Sequence, residues 1–140
     1  MSADQVGEAL EHESGLLALA GTADMREVVS RASVGDQDAQ LGLSVYVHRL
    51  RSAIGAMTAA LGGLDALVFT GGVGENAPVV RGAATAGLEY LGVALNQGLN
   101  AAARSDANIS TERAPVQSLV VTAREDLEIA REVRQVLALH

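Results

Sequence analysis

The sequence predicts an α/β fold, rich in helix and with only short strands, and three observations carry that prediction. Asp36–Leu61 repeats apolar residues at Leu43, Val47, Leu50, Ile54, Met57 and Leu61. That 4-3-4-3-4 spacing draws one stripe along a helix of about seven turns. Leu64–Thr70 (Leu-Asp-Ala-Leu-Val-Phe-Thr) is short, apolar and stopped by glycines, as a buried strand is. Beyond it, helical and strand-like patterns alternate to the end of the chain. A length of 140 residues suits one domain, and 49% of them are apolar, so composition does not favour disorder.

The elements follow in order. Ser2–Leu10 reads as a short helix capped by Ser2, with Val6, Ala9 and Leu10 on one side. Ser14–Gly21 is apolar and bracketed by glycines, which suggests a buried connector or a short strand. Asp24 opens the next helix, and Glu27, three residues on, would complete a capping box. The long helix starts at Asp36 and stops at Gly62-Gly63, and its stripe requires a sheet or a second helix as partner. After the strand, Gly71-Gly72-Val73-Gly74-Glu75 forms a turn, and a helix runs from about Asn76 to Leu88, with Asn76 as its N-cap and Pro78 in its first turn. Leu91–Leu95 and Gln117–Thr122 read as further short strands, and Asn96–Pro115 as a surface loop. A last amphipathic helix, Arg124–Leu137, would bury Leu127, Ile129, Ala130, Val133 and Val136.

Composition excludes several kinds of chemistry. All ten basic residues are Arg, so there is no P-loop lysine and no Schiff-base lysine. The absence of Cys removes thiol nucleophiles, thiolate zinc sites and disulfides. A net charge of −7 and only three aromatics argue against nucleic-acid binding. The longest uncharged stretches, Ser52–Leu64 and Tyr90–Ala103, fall short of the roughly 20 apolar residues of a membrane span. The first residues carry no basic or apolar run, so no signal peptide is visible and a cytoplasmic location is expected.

Leu67-Val68-Phe69-Thr70-Gly71-Gly72-Val73-Gly74-Glu75-Asn76 holds the most chemistry. A strand delivers the chain to three glycines and a helix begins at once. Glycines admit a ligand close to backbone N–H groups, and a helix start favours anions. The glycine spacing matches neither a Walker loop nor the dinucleotide fingerprint. A nucleotide or other anion site and a tight turn built for geometry alone both remain open on this pattern.

Phe69–Asn76 closely resembles the Phe-Thr-Gly-Gly-Ile-Gly-Glu-Asn segment of the acetate kinase family. Ser14-Gly15-Leu16-Leu17 with Asp24-Met25-Arg26, Tyr46–Leu50 with Ile54-Gly55-Ala56, and Arg124–Ala130 resemble further family motifs, in the family's order. The resemblance runs from about residue 1 to 138 and implies an actin-like ATPase (ribonuclease H-like) fold. It implies reversible phosphoryl transfer between ATP and acetate, giving ADP and acetyl phosphate, with Mg2+ as cofactor and a homodimer as the assembly. It assigns Asp24, Met25 and Arg26 to a nucleotide-contacting segment. Gly71, Gly72, Val73, Gly74, Glu75 and Asn76 fall in the adenosine-contacting turn, and Glu125 on a magnesium-linked glutamate.

The resemblance also implies that residues 1–140 are the C-terminal nucleotide-binding portion of such an enzyme, without its N-terminal domain. The family's Asn-x-Gly-Ser-Ser-Ser signature, catalytic arginines, phosphate-contacting histidine and acetate pocket have no counterpart here. These 140 residues alone are therefore expected to be inactive, with no catalytic residue among them. Alternatives are a non-catalytic nucleotide-binding or dimerisation module, or a propionate or butyrate kinase. From the residues alone, Glu125 also closes a capping box with Thr122, and Asp24 is a plain N-cap. Arg26, unfavourably placed in a first turn, points to work outside the helix, such as stacking on adenine. His48 reads as packed or half-buried, the long stripe as core or dimer surface, and His12 and His140 lack partners at ligand spacing.

Overall fold

A computed structural model describes residues 1–138. Its first layer is helical. Helix α1 (Ala3–His12) is capped as expected: Ser2 Oγ accepts from the Gln5 N–H, and Gln5 Oε1 accepts from the Ser2 N–H. None of its residues is buried. The segment read as a connector or strand is instead a five-residue helix, α2 (Leu16–Ala20). Leu and Ala are strong helix formers and no β-branched residue interrupts them, so local propensity prevails over the bracketing glycines. Gly21, at φ 72°, ends the helix in the left-handed conformation.

Helix α3 (Met25–Ser33) has Asp24 as its N-cap, accepting from the Arg26 N–H, and no capping box. Glu27 accepts the Thr22 hydroxyl and faces Arg31, which satisfies its carboxylate away from the helix start. Helix α4 (Gln37–Leu61) begins at Asp36, whose carboxylate accepts from the Ala39 N–H, and ends at Gly62. Arg31 ties the layer together by reaching Asp36 (2.9 Å) and the Ala20 carbonyl (2.8 Å). Ala20, Met25, Val28, Ala39 and Val80 form the first core cluster, with Leu16, Leu43, Tyr46 and Leu50 packed on it. A Cβ on Gly42 would lie 3.1 Å from that of Ala20, so glycine sets how closely α4 approaches α2.

Helices cover the first half of the stripe, Ile54 packs on the cluster beside the sheet, and the last turns stay largely uncovered. Met57 and Leu61 stay 60% and 76% exposed, because α2 and α3 do not extend to the last turns of α4. His48 is exposed rather than half-buried. It lies one residue past Val47, and a step of about 100° carries it off the packed face.

Strand β1 (Ala66–Phe69) leads through α5 (Gly71–Asn76), α6 (Pro78–Thr85), α7 (Gln97–Ala102) and β2 (Ala107–Asn108) to β3 (Gln117–Val120). The sheet order is β1-β3-β2, with β1 parallel and β2 antiparallel to β3. Leu91–Leu95 is not a strand. It holds a 3₁₀ turn (Glu89–Leu91), then single bridges from Val93 to Val116 and from Leu95 to Ser110. Gly92, at φ 87°, breaks the extended path. The expected loop Asn96–Pro115 is partly ordered, containing α7, capped by the Asn96 side chain, and β2. Two further core clusters flank the sheet, one on Phe69, Ala103, Ile109 and Val120, the other on Leu88, Val93 and Val116.

Helix α8 (Glu125–Ala138) forms where the amphipathic pattern predicts it, yet it buries nothing. Leu127 and Ile129 are 61% and 63% exposed, and Val133 and Val136 are exposed as well. Among the described residues, no element covers its apolar side chains. His140 lies outside the described residues.

Candidate functional site

The glycine segment folds as a helix rather than as a turn before one. Helix α5 starts at Gly71, directly after β1, and Asn76 is its last residue, not the N-cap of the next helix. The break falls at Ala77, and α6 begins with Pro78 in its first turn. The residue before a proline is disfavoured in helical conformation, so the chain cannot run through Ala77 as one helix. Asn76 Nδ2 donates to the Gly72 carbonyl within α5.

The glycines do different jobs. A Cβ on Gly74 would sit 3.1 Å from the Phe69 carbonyl carbon, so Gly74 is the position at which α5 rests on the end of β1. Gly72 is exposed and a Cβ there would meet nothing within 4 Å. Space for close approach of a ligand thus lies at Gly72, and the requirement at Gly74 is packing.

A cavity of about 890 Å³ opens between α5 and the start of α3. Asp24, Met25 and Arg26 line it from α3, and Gly72, Val73 and Asn76 from α5. Two segments nearly 50 residues apart in sequence are thereby brought to one cavity. Gly71, Gly74, Glu75 and Glu125 are not among its lining residues. Tyr46, half-buried on α4, and Ala77, Pro78 and Val79 at the head of α6 add to the wall, with Leu16, Ala23 and Val29. Sequence reasoning did not single these out. For Tyr46 the available signals were its place in a family-like motif and its being one of only three aromatics. The cavity is apolar in the main, with a few convergent polar groups, as small-molecule sites commonly are.

Asp24 and Arg26 form a fork: Arg26 Nε donates to Oδ1 (3.0 Å) and Nη2 to Oδ2 (2.6 Å). The Arg26 side-chain bond, then the Arg26 backbone N–H, holds the Asp24 carboxyl down at about 2. The pair also resolves the misplaced charge at the start of α3, since Asp24 neutralises Arg26 beside the helix N-terminus. With 87% of its side chain exposed, the guanidinium presents a flat face at the cavity mouth.

Beneath α5 lies a side chain that the sequence did not flag. Arg81, 0% exposed, donates to the Gly74 and Glu75 carbonyls (2.8 and 2.7 Å) and to the Asn100 side chain and carbonyl (2.7 and 2.6 Å). Asn100 Nδ2 in turn donates to the Pro78 carbonyl. Burial, then the charge of Arg104, pushes the Arg81 guanidinium below the usual arginine range. An arginine in a short helix ordinarily reads as a solvated charge, which is why only the fold reveals this one.

Glu75 turns away from the cavity. Its Oε1 accepts from the Gly71 N–H and from the Ala123 N–H, both at 2.9 Å. Glu125 is exposed at the start of α8. The expected capping box with Thr122 does not form. The Thr122 N–H donates to Asp106, Arg124 pairs with the same carboxylate, and the Arg124 carbonyl accepts from the Glu128 N–H to open the helix. Among the described residues no three His, Cys, Asp or Glu side chains cluster as a metal site. A lone accessible carboxylate such as Glu125 still suits magnesium, which keeps most of its waters.

The chain matches known proteins over nearly all of its length. The Acetokinase family profile covers residues 1–131. An acetate kinase of Leifsonia xyli subsp. xyli is 51% identical over 136 residues, covering 96% of this chain and 34% of that protein. The solved structure of Porphyromonas gingivalis acetate kinase superposes with a TM-score of 0.90 at 32% identity, over 98% of this chain and 35% of the other. A propionate kinase from Francisella tularensis superposes at 0.86 with 34% identity, over 94% and 34%. The chain spans about a third of the length of the curated relatives it matches. Its fold is the actin-like ATPase fold of these kinases, and the chain belongs to the acetokinase family.

Proposed function

We propose that residues 1–140 are the C-terminal nucleotide-binding portion of an acetate kinase-type phosphotransferase. On this reading the chain holds the adenosine end of ATP or ADP, and the partner substrate is acetate or acetyl phosphate. The observation that carries it is the meeting of Asp24–Arg26 with Gly72, Val73 and Asn76 around one cavity. These are the two segments that the family resemblance assigns to nucleotide contact. Tyr46 and Arg26 offer flat surfaces for a purine, and Gly72 leaves the backbone of α5 open to close approach.

Phosphoryl transfer depends on positioning and on neutralising charge more than on covalent protein chemistry. A lysine-free chain meets that demand through backbone N–H groups, Arg26 and a metal ion. Glu125 is the residue that would contribute a carboxylate to magnesium, whose chemistry is to neutralise the nucleotide phosphates. Groups that hold the transferred phosphate and the carboxylate substrate would come from outside these 140 residues, so no turnover is expected from them alone. A cytoplasmic homodimer is part of the same reading. The similarity to a propionate kinase keeps a longer carboxylate as a second substrate reading.

Titration calorimetry with MgATP on this chain tests the proposal. Binding is expected in the parent, and Gly72→Val should weaken it tenfold or more, roughly the loss of 1.4 kcal/mol of contact. Unchanged affinity in that variant would remove the cavity from consideration as the nucleotide site.

A further inference from the structure

We propose that Glu75 is a positioning residue, a strut that fixes the glycine helix and the segment carrying Glu125 relative to each other. The role for ligands that it implies rests on the nucleotide reading above.

The geometry of α5 separates two faces. Gly72, Val73 and Asn76, spaced one, three and four residues apart, share the side that lines the cavity. Gly71 and Glu75, four apart, share another side, and neither is among the cavity-lining residues. One carboxylate oxygen, Glu75 Oε1, accepts from the first N–H of α5 and from the Ala123 N–H, 48 residues further on, each at 2.9 Å. The first free donor of the glycine helix is therefore taken by the protein itself. What α5 offers a ligand is its flank.

The segment leading into α8 is anchored by three successive backbone donors with three different acceptors. The Val121 N–H bonds the Phe69 carbonyl at the end of β1, the Thr122 N–H bonds Asp106, and the Ala123 N–H bonds Glu75. The first two fix the segment to the sheet and to the end of α7's connection. Among the described hydrogen bonds, the third alone joins it to α5. Two residues later comes Glu125. A ligand that presses on Gly72, Val73 and Asn76 thus acts, through Glu75, on the backbone that places Glu125. Interactions one step behind a site commonly govern it in this way, by orienting the groups that make contact.

The test uses this chain as parent, Glu75→Gln, Glu75→Ala and Ala123→Pro, with amide hydrogen exchange read by NMR and MgATP affinity by calorimetry. Gln keeps an acceptor oxygen at the same reach, so Glu75→Gln should protect both amides and bind MgATP within about twofold of the parent. Glu75→Ala should speed exchange at Gly71 and Ala123 together by about tenfold and weaken MgATP binding by a similar factor. Ala123→Pro removes the Ala123 donor, with a local restraint on residues 122 and 123, and leaves the Glu75–Gly71 bond its own donor and acceptor. It should weaken MgATP binding while Gly71 stays protected, which separates the strut from general unfolding.

Two results would overturn the proposal. One is Glu75→Gln behaving like Glu75→Ala, which would make the negative charge, and hence direct ligand or metal contact, the function. The other is Glu75→Ala exposing Gly71 without Ala123. Should the parent fail to bind nucleotide, the functional reading falls, while the exchange pattern still decides whether the strut exists.

Discussion

At the scale of single residues, the molecule uses its charges for architecture before any ligand arrives. Arg81 spends its donors on four carbonyl oxygens, two of them at the C-terminal end of α5. Replacing it with Leu would strand those acceptors in the interior. We expect Arg81→Leu to lower the unfolding free energy by about 2–4 kcal/mol in urea titrations, with Arg81→Lys recovering part of it. Asp24 gives a pH-dependent test. Its carboxyl is held at about 2 against a usual 3.8, so the folded state binds its proton less readily than the unfolded chain. The stabilisation is complete above the unfolded value and is lost as pH falls from about 4 towards 2. Over that window the urea midpoint of the parent should drop further than that of Asp24→Asn. Parallel curves would show that the Asp24–Arg26 fork contributes nothing.

At the scale of elements, α5 carries the most consequence in the fewest residues. Its axis is fixed by contact with β1 at Gly74, by Arg81 at its far end and by Glu75 along its side. The packing reading predicts that Gly74→Ala destabilises the fold by about 1–3 kcal/mol, because the new methyl meets the backbone of Phe69 and not a flexible side chain. Thermal melts of Gly74→Ala and Gly72→Ala would distinguish the two glycines, since the second has room for a methyl and gains helix propensity.

Legibility also varied by element. Long α4 and its two end signals were plain in the sequence, since 25 residues give periodicity room to speak. The five-residue α2 and six-residue α7 were not, because fewer than two turns cannot show a helical period. Asn76 was placed at the wrong end of a helix, since the break before Pro78 was read as the first turn of the next one. Of the candidate site, Asp24–Arg26 and Gly72–Asn76 were legible through family motifs and Tyr46 lay in another such motif without a site role, whereas Arg81 and Asn100 carried no signal.

At the scale of the whole molecule, structure is unevenly supported. Helices α1 and α8 contain no buried residue, whereas α3, the first half of α4 and β3 contribute to the cores. Native-state amide exchange should therefore be fastest in α1 and α8 and slowest in α4 and β3. Slow exchange along α8 in dilute solution would mean that its exposed apolar residues find a partner surface, since nothing described in the chain covers them.

The sequence by itself determined where the long helix runs, that a strand ends in glycines, which chemistries are impossible, and which family the motifs belong to. The first three properties are local, set by periodicity, by turn residues and by the absence of Lys and Cys, and the family is implied by resemblance of short motifs. Tertiary structure alone decided that Asp24–Arg26 meets Gly72 and Asn76 across one cavity, that Arg81 is interior, and that Glu75 joins α5 to the approach to Glu125. Each depends on contacts between segments from 19 to about 50 residues apart. No local pattern encodes such a distance, because chain packing and the satisfaction of buried polar groups fix it only once the whole fold has closed.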